Sequence, residues 1–216
     1  MKSILLLMVL FLSSTIYAQD LVEDVTVRGT FVQGKRVYKL YYCASCYEGG
    51  IQLTLYTDSS YFYKLIGTGH KQISEGKWTR NKKDFILNSR IKQHGVPIKI
   101  DGVSYGSDLG GITSRKTPFI IPFNLNGEKI YDARVFINND STFCFPYFDT
   151  CVGKYKSIDS IKVNFGKGFT TQWIPFVWPQ ARYVKVTAMM DFSFEEYVVF
   201  ENKKYTPTTS LKLISE

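Results

Sequence analysis

The residues best spaced for chemistry are the cysteines: Cys43-Ala44-Ser45-Cys46 forms a C-x-x-C motif, and Cys144 and Cys151 follow about a hundred residues later. A redox dithiol needs its first cysteine at a helix N-terminus, where the dipole lowers the thiol pKa. Here Tyr41-Tyr42 precede the motif and Glu48-Gly49-Gly50 follow it, with no helical pattern on either side. A four-thiolate zinc site uses gaps of about two to four residues, and the gap between Cys144 and Cys151 is longer, so no metal is expected. What remains is disulfide pairing, most simply Cys43 with Cys46 and Cys144 with Cys151, with the cross-pairings left open.

Other catalytic chemistry has little to build on. His70 and His94 are the only imidazoles, and the serines lie in turn-like contexts, so no catalytic residue is assigned. Paired acids across a cleft would suit glycoside hydrolysis, for which Glu75, Asp84, Asp191, Glu195 and Glu196 are available. The cluster Asn138-Asn139-Asp140 with Asp149 lacks the spacing and the glycine of a calcium loop and reads as a polar hairpin turn. No cofactor is expected.

Aromatic density is the least ordinary feature, with 15 Tyr, 16 Phe and 3 Trp. Exposed rings can stack on sugar faces, and nearby lysines can meet acidic groups. The candidate binding residues on this basis are Tyr41, Tyr42, Trp78, Trp173, Trp178 and Lys77. Against this stands the preference of aromatic side chains for strands and cores. The net charge is +8, concentrated in the N-terminal half. That balance favours a glycan or another anionic envelope component as partner, while no recognised nucleic-acid motif supports nucleic-acid binding.

The elements that must hold these residues are strands. Ile51, Leu53 and Leu55 alternate with Gln52, Thr54 and Tyr56, as do Ile161 and Val163 around Lys162 and Val184 and Val186 around Lys185. Turn chemistry at 57–60 separates strands 51–56 and 61–66, and that at 81–84 separates 77–79 from 85–87, so that 50–89 reads as a four-strand meander; further turns are expected at 124–127, 138–141, 166–168 and 202–204. No segment sustains a helical apolar period. Ahead of this, Lys2, the apolar run Ile4–Leu12 and Ile16-Tyr17-Ala18 read as a secretory signal cleaved after Ala18. The run is far shorter than the about 20 residues that a membrane-crossing helix needs, so no transmembrane anchor is expected.

The predicted architecture is all-β, an antiparallel meander and sandwich in two packed β-domains: signal 1–18, N-terminal β-domain 19–117 and C-terminal β-sandwich 118–216. The boundary is set by Gly106–Pro118, with its Gly110-Gly111 pair and a change in charge balance. The meander from Ile51 to Ser89, with Glu75-Gly76-Lys77-Trp78 and Asp84-Phe85-Ile86-Leu87-Asn88-Ser89, resembles exported bacterial β-proteins, including lipocalin-like ones. Asn126-Gly127-Glu128-Lys129-Ile130 through Ala133-Arg134-Val135-Phe136-Ile137 resembles sandwich modules of the carboxypeptidase-regulatory type. It departs from them at Phe145-Pro146-Tyr147-Phe148, where those modules carry a Thr-Asp and glycine turn. Neither resemblance transfers a site residue. The functional expectation is an exported, non-enzymatic binding or envelope-associated structural module, located in the periplasm, at the cell surface or outside the cell. The alternatives are a secreted glycan-acting hydrolase and a lipocalin-like small-ligand carrier.

Overall fold

A computed structural model describes residues 21–43, 49–104, 119–140, 143–144, 155, 157–178, 181, 183–191, 193–209 and 212–215. The signal segment, Cys46 and Cys151, and the 106–118 stretch lie outside these residues.

The fold is all-β, as expected. The meander begins with β1 (Leu21–Glu23), a 3-10 turn at Val25–Val27, β2 (Phe31–Val32) and β3 (Lys35–Cys43), and runs on through β4 (Gly49–Tyr56), β5 (Ser60–Gly67), β6 (His70–Asn81) and β7 (Asp84–Ser89). Its turns follow the polar clusters of the sequence. Ser59 and Lys82 take left-handed backbone angles in the β4–β5 and β6–β7 turns, conformations that tight hairpins require. Two more strands, β15 (Lys203–Thr209) and β16 (Lys212–Ser215), come from the far end of the chain. Strand β15 pairs with β7, β16 with β15, and β1 with both β16 and β3. The pairings β1, β3, β4, β5, β6, β7, β15, β16 and back to β1 therefore form a closed antiparallel ring of eight strands, with β2 appended to β3.

Strand alternation turns one face of each strand inward. Tyr41, Leu53, Leu55, Tyr61, Tyr63, Phe85, Leu87 and Tyr205 fill the barrel, with Tyr38, Trp78 and Phe200 packed at its margin. Small barrels are commonly filled by their own side chains in this way.

Between β7 and β15 the chain builds a second unit. Strands β10 (Arg134–Ile137), β11 (Phe143–Cys144), β12 (Ser160–Asn164) and β13 (Ile174–Pro175) form one sheet, in the order β11-β10-β12-β13. Strands β8 (Ile98–Ser104), β9 (Phe119–Phe123) and β14 (Tyr183–Ala188) form another, in which β9 runs parallel to β14. Both sheets contribute to one core, with Val135, Ile137, Ile161 and Val163 from one side and Ile120, Val184 and Val186 from the other.

The division at 117/118 is therefore not how the strands pair. Strand β8, before that boundary, pairs with β14 after it, and β15–β16 return to the N-terminal barrel. The sandwich is inserted into the barrel, and the glycine-rich stretch that suggested a linker separates β8 from β9 within the sandwich. Composition marked a loop there, but loop chemistry carries no information about which strands it lets meet.

The two units are joined through the segment leading back into β15. Ile73 donates its N–H to the Glu196 carbonyl and accepts from the Val198 N–H, both at 2.8 Å. Residues 196–198 thus cover the edge of β6 that β7 leaves open, the usual need of an exposed strand edge. Phe200 packs edge-on to Tyr63 at 5.0 Å, and its N–H donates to Ser89 Oγ at 2.7 Å. Among the described residues no helix is long and apolar enough to cross a membrane.

Candidate functional site

The same alternation that buries Tyr41, Leu53 and Tyr63 turns Tyr42, Gln52 and Lys64 outward. Register sets them in one row, Tyr42 opposite Gln52 and Gln52 opposite Lys64. With Asp24, Leu40 and Ile66 they line a groove of about 500 Å³ on the outer face of β3, β4 and β5. Tyr42 is 41 % exposed and Ile66 47 %. Gln52 Nε2 donates to Thr54 Oγ1 at 3.2 Å, and among the described residues Lys64 makes no hydrogen bond or ion pair. An open ring face, an amide and an uncommitted ammonium can hold a ligand with both an apolar face and polar or anionic edges.

The other expected binding residues do not join this groove. Tyr41 is buried in the barrel core. Trp78 stacks on Tyr38 at 5.4 Å and spends its indole N–H on the Tyr56 carbonyl at 3.1 Å. Trp178 packs against Phe176 at the sandwich core, whereas Trp173 and Val177, on the opposite face of that segment, are open to solvent. Lys77 is exposed and lies on a separate cleft with Lys35, Ser60, Glu75, Asn88, Arg90 and Asp191. Gln52, Lys64 and Ile66 escaped the sequence reading, although their outward phase in alternating strands was legible; only the register brings them beside Tyr42. Cys43 ends β3 and Cys144 ends β11, and the expected partner of each lies outside the described residues.

Catalytic arrangements fare poorly on geometry. Glu75 and Asp191 both meet Arg90, Asp84 meets Lys204, Glu195 meets Lys167 and Glu196 meets Lys71. Each of these acids is thus taken up in an ion pair with a neighbouring side chain. His94 Nδ1 shares a hydrogen bond with Thr170 Oγ1 at 3.2 Å, and neither histidine pairs with a carboxylate among the described residues. Lys35 Nζ reaches Ser60 Oγ at 2.9 Å, the distance of a serine–lysine dyad. Yet that hydroxyl donates to Asp58, and the lysine faces the same carboxylate at 3.6 Å, so the serine proton is directed at the carboxylate and not at the amine. The sequence reading found no Gly-x-Ser-x-Gly elbow, and this was wrong: Gly102-Val103-Ser104-Tyr105-Gly106 has that spacing. Such an elbow places its serine in a turn from strand to helix, whereas Ser104 is still within β8, opposite Tyr183 of β14.

Two buried polar clusters are structural. Tyr61 Oη, Ser74 Oγ and Ser89 Oγ form a closed triangle with sides of 2.9 to 3.1 Å inside the barrel. Burial pushes the Tyr61 hydroxyl up to about 12, despite the hydrogen bonds from the two serines. The Glu23 side chain, fully buried at the other cluster, is held by Arg28 and by Lys39 at 2.9 Å. Burial alone would raise its pKa; the hydrogen bonds from Arg28 and Lys39 outweigh that and keep it below the ordinary carboxylate value.

Comparison of the chain with protein-family models, with curated proteins and with solved structures finds no match.

Proposed function

We propose that the protein is an exported, non-enzymatic recognition module that binds a glycan, or another anionic component of the cell envelope, on the outer face of its barrel. The observation that carries this reading is the row Tyr42, Gln52 and Lys64, turned outward in register across three strands, Tyr42 exposed and the other two half-buried, while the barrel interior is taken up by the protein's own side chains. A sugar ring stacks its C–H face on Tyr42, and its hydroxyl or acidic groups meet Gln52 and Lys64. Export follows from the signal-like segment Lys2–Ala18, and in that setting the cysteines pair as disulfides, which intact mass before and after reduction would register.

The carrier reading draws support from the closed ring of eight strands. It is disfavoured by what occupies the ring: Tyr41, Tyr61, Phe85, Leu53 and Leu87 are each almost wholly buried there. The hydrolase reading is disfavoured by the cationic partner of every acid it would use.

Binding to an array of neutral and acidic glycans tests the proposal. Tyr42→Ala is expected to weaken retention about tenfold, the worth of one good ring contact. Lys64→Ala is expected to weaken acidic glycans selectively and to flatten their salt dependence. Retention that neither substitution changes would refute the groove as the site.

A further inference from the structure

The end of the barrel where β3 begins is a surface of a different kind, gathered by register from turns far apart in sequence. Val37 of β3 stands opposite Tyr56 of β4, Ser60 of β5 opposite Lys77 of β6, and Glu23 of β1 opposite Tyr41 of β3. The 3-10 turn after β1 and the β2–β3, β4–β5 and β6–β7 turns therefore share one rim. The mouth within that rim is closed: Tyr38 stacks on Trp78 at 5.4 Å, and Phe85 meets Trp78 edge-on at 5.6 Å. The rim is a capped surface, not the entrance to a cavity.

Two apolar side chains stand out from it. Phe31 is 71 % exposed and Val25 47 %, and neither packs against the barrel core or the sandwich core. Both sit on firmly held backbone. The β2–β3 turn has two residues, Gln33 and Gly34, each with a left-handed φ (51° and 74°), the geometry of a tight hairpin. Val25 opens the 3-10 turn, whose cap Asp24 accepts from the Thr26 N–H at 3.0 Å. The Gly29 N–H donates to the Val37 carbonyl at 2.9 Å and the Val37 N–H to the Thr30 carbonyl at 2.8 Å, which ties this turn to β3.

Around these tips the charge is positive even after each carboxylate is set against its cations. Glu23 lies between Arg28 and Lys39, Asp58 pairs with Lys35 and its charge reaches Lys77, and Asp84 pairs with Lys204. Arg36, Arg80, Lys82 and Lys83 are exposed and meet no carboxylate among the described residues, and against them stands only the capping Asp24. A soluble polyanion would use these cations and leave Phe31 and Val25 in water. An anionic bilayer uses both, since apolar tips enter its headgroup layer while the cations meet its phosphates.

We infer that this rim docks on the surface of an anionic lipid bilayer, with Phe31 and Val25 entering the headgroup layer and Arg36, Arg80, Lys82 and Lys83 meeting the phosphates. The inference does not rest on the glycan reading. The Tyr42 groove extends toward the other end of the same strands, where Cys43 ends β3 and Gly50 faces Ile66. Phe31→Ala therefore leaves glycan retention intact, and either site can fail alone.

The test is flotation of the mature protein with vesicles of phosphatidylcholine alone and of phosphatidylcholine mixed with an equal part of phosphatidylglycerol. Residues Met1–Ala18 are removed, so that their apolar run cannot enter lipid by itself. Binding is expected to the mixed vesicles and not to the neutral ones, and it weakens as salt is added. Phe31→Ala is expected to weaken it about tenfold, and Lys82→Ala with Lys83→Ala about thirtyfold. Lys99→Ala, exposed on β8 of the sandwich, leaves it unchanged. Absence of flotation with the mixed vesicles would overturn the inference, as would equal flotation with the neutral ones. An equal loss with Lys99→Ala would mean attraction by surface charge in general, and binding untouched by Phe31→Ala but displaced by heparin would make the rim a polyanion site; either result also overturns it. Circular dichroism of each variant, matching the parent, secures the comparison.

Discussion

Glu23 occupies the place in the barrel where a carboxylate is hardest to keep, with no exposed side-chain surface, and it is retained by two cations that reach it from β3 and from the turn after β1. The arrangement ties folding to pH. Because its folded pKa lies below the unfolded value of about 4.3, the pair contributes stability in full above that value. The contribution fades as acid protonates the folded carboxylate. Glu23→Gln leaves Arg28 and Lys39 facing a neutral amide, and a loss of about 3 kcal/mol is expected near neutrality. Urea unfolding from pH 3 to pH 7 should show parent and variant converging toward the acid end, since the parent loses there what the variant never had. A constant gap across that range would contradict this account. Nothing in the sequence singled out Glu23, because a lone acid in a short strand gains meaning only from what packs around it.

At the scale of the element, the hairpins were legible and the crossings were not. Strand alternation and turn chemistry place β4, β5 and β7 to within two residues at each end, whereas of β6 only 77–79 was read as strand, and Asn138, Asn139 and Asn202 adopt the left-handed angles that their polar clusters suggested. The groove was half legible: Tyr42 stood out by its ring, but Gln52 and Lys64 look like ordinary wet-face residues until the register is known. Gly76 shows what local reading misses. In the sequence it is a glycine before Lys77-Trp78, a common strand opening; in the fold it is where the end of β7 folds tightly over β6. A Cβ there would collide with the Asn88 carbonyl and the Arg90 N–H, and the contact cannot relax because Arg90 N–H donates to the Glu75 carbonyl at 2.8 Å. Gly76→Ala is therefore expected to cost about 1 to 3 kcal/mol, in the manner of an overpacked site. Gly50→Ala, with open space around it, serves as the control, and a comparable loss in both would point to strand propensity instead.

For the whole molecule, the decisive fact is that the barrel is assembled from both ends of the described chain. Its inner wall needs Leu21 from β1 and Tyr205 from β15, with the sandwich core between them in sequence. Sequence reading could not reach this arrangement, because the closing contacts span most of the chain and alternate no differently from those of an ordinary hairpin. Removing residues 203–216 deletes β15 and β16, parts β1 from β7, and opens the edges of both. The truncated chain is expected to lose the near-ultraviolet dichroism of its buried tyrosines and to elute as an aggregate. If it instead stays monomeric with that signal intact, the barrel does not depend on ring closure.

Ring closure also sets an order of events during synthesis. A ribosome delivers β1 first and its neighbour β16 last, so β1 waits with one flank unsatisfied while every intervening residue is made. Contacts of such sequence separation form late. The inserted sandwich has its complete core available earlier and can fold while the barrel is still an open meander. The final strands then act as a latch, and a chain cut short by a premature stop never acquires a sealed barrel.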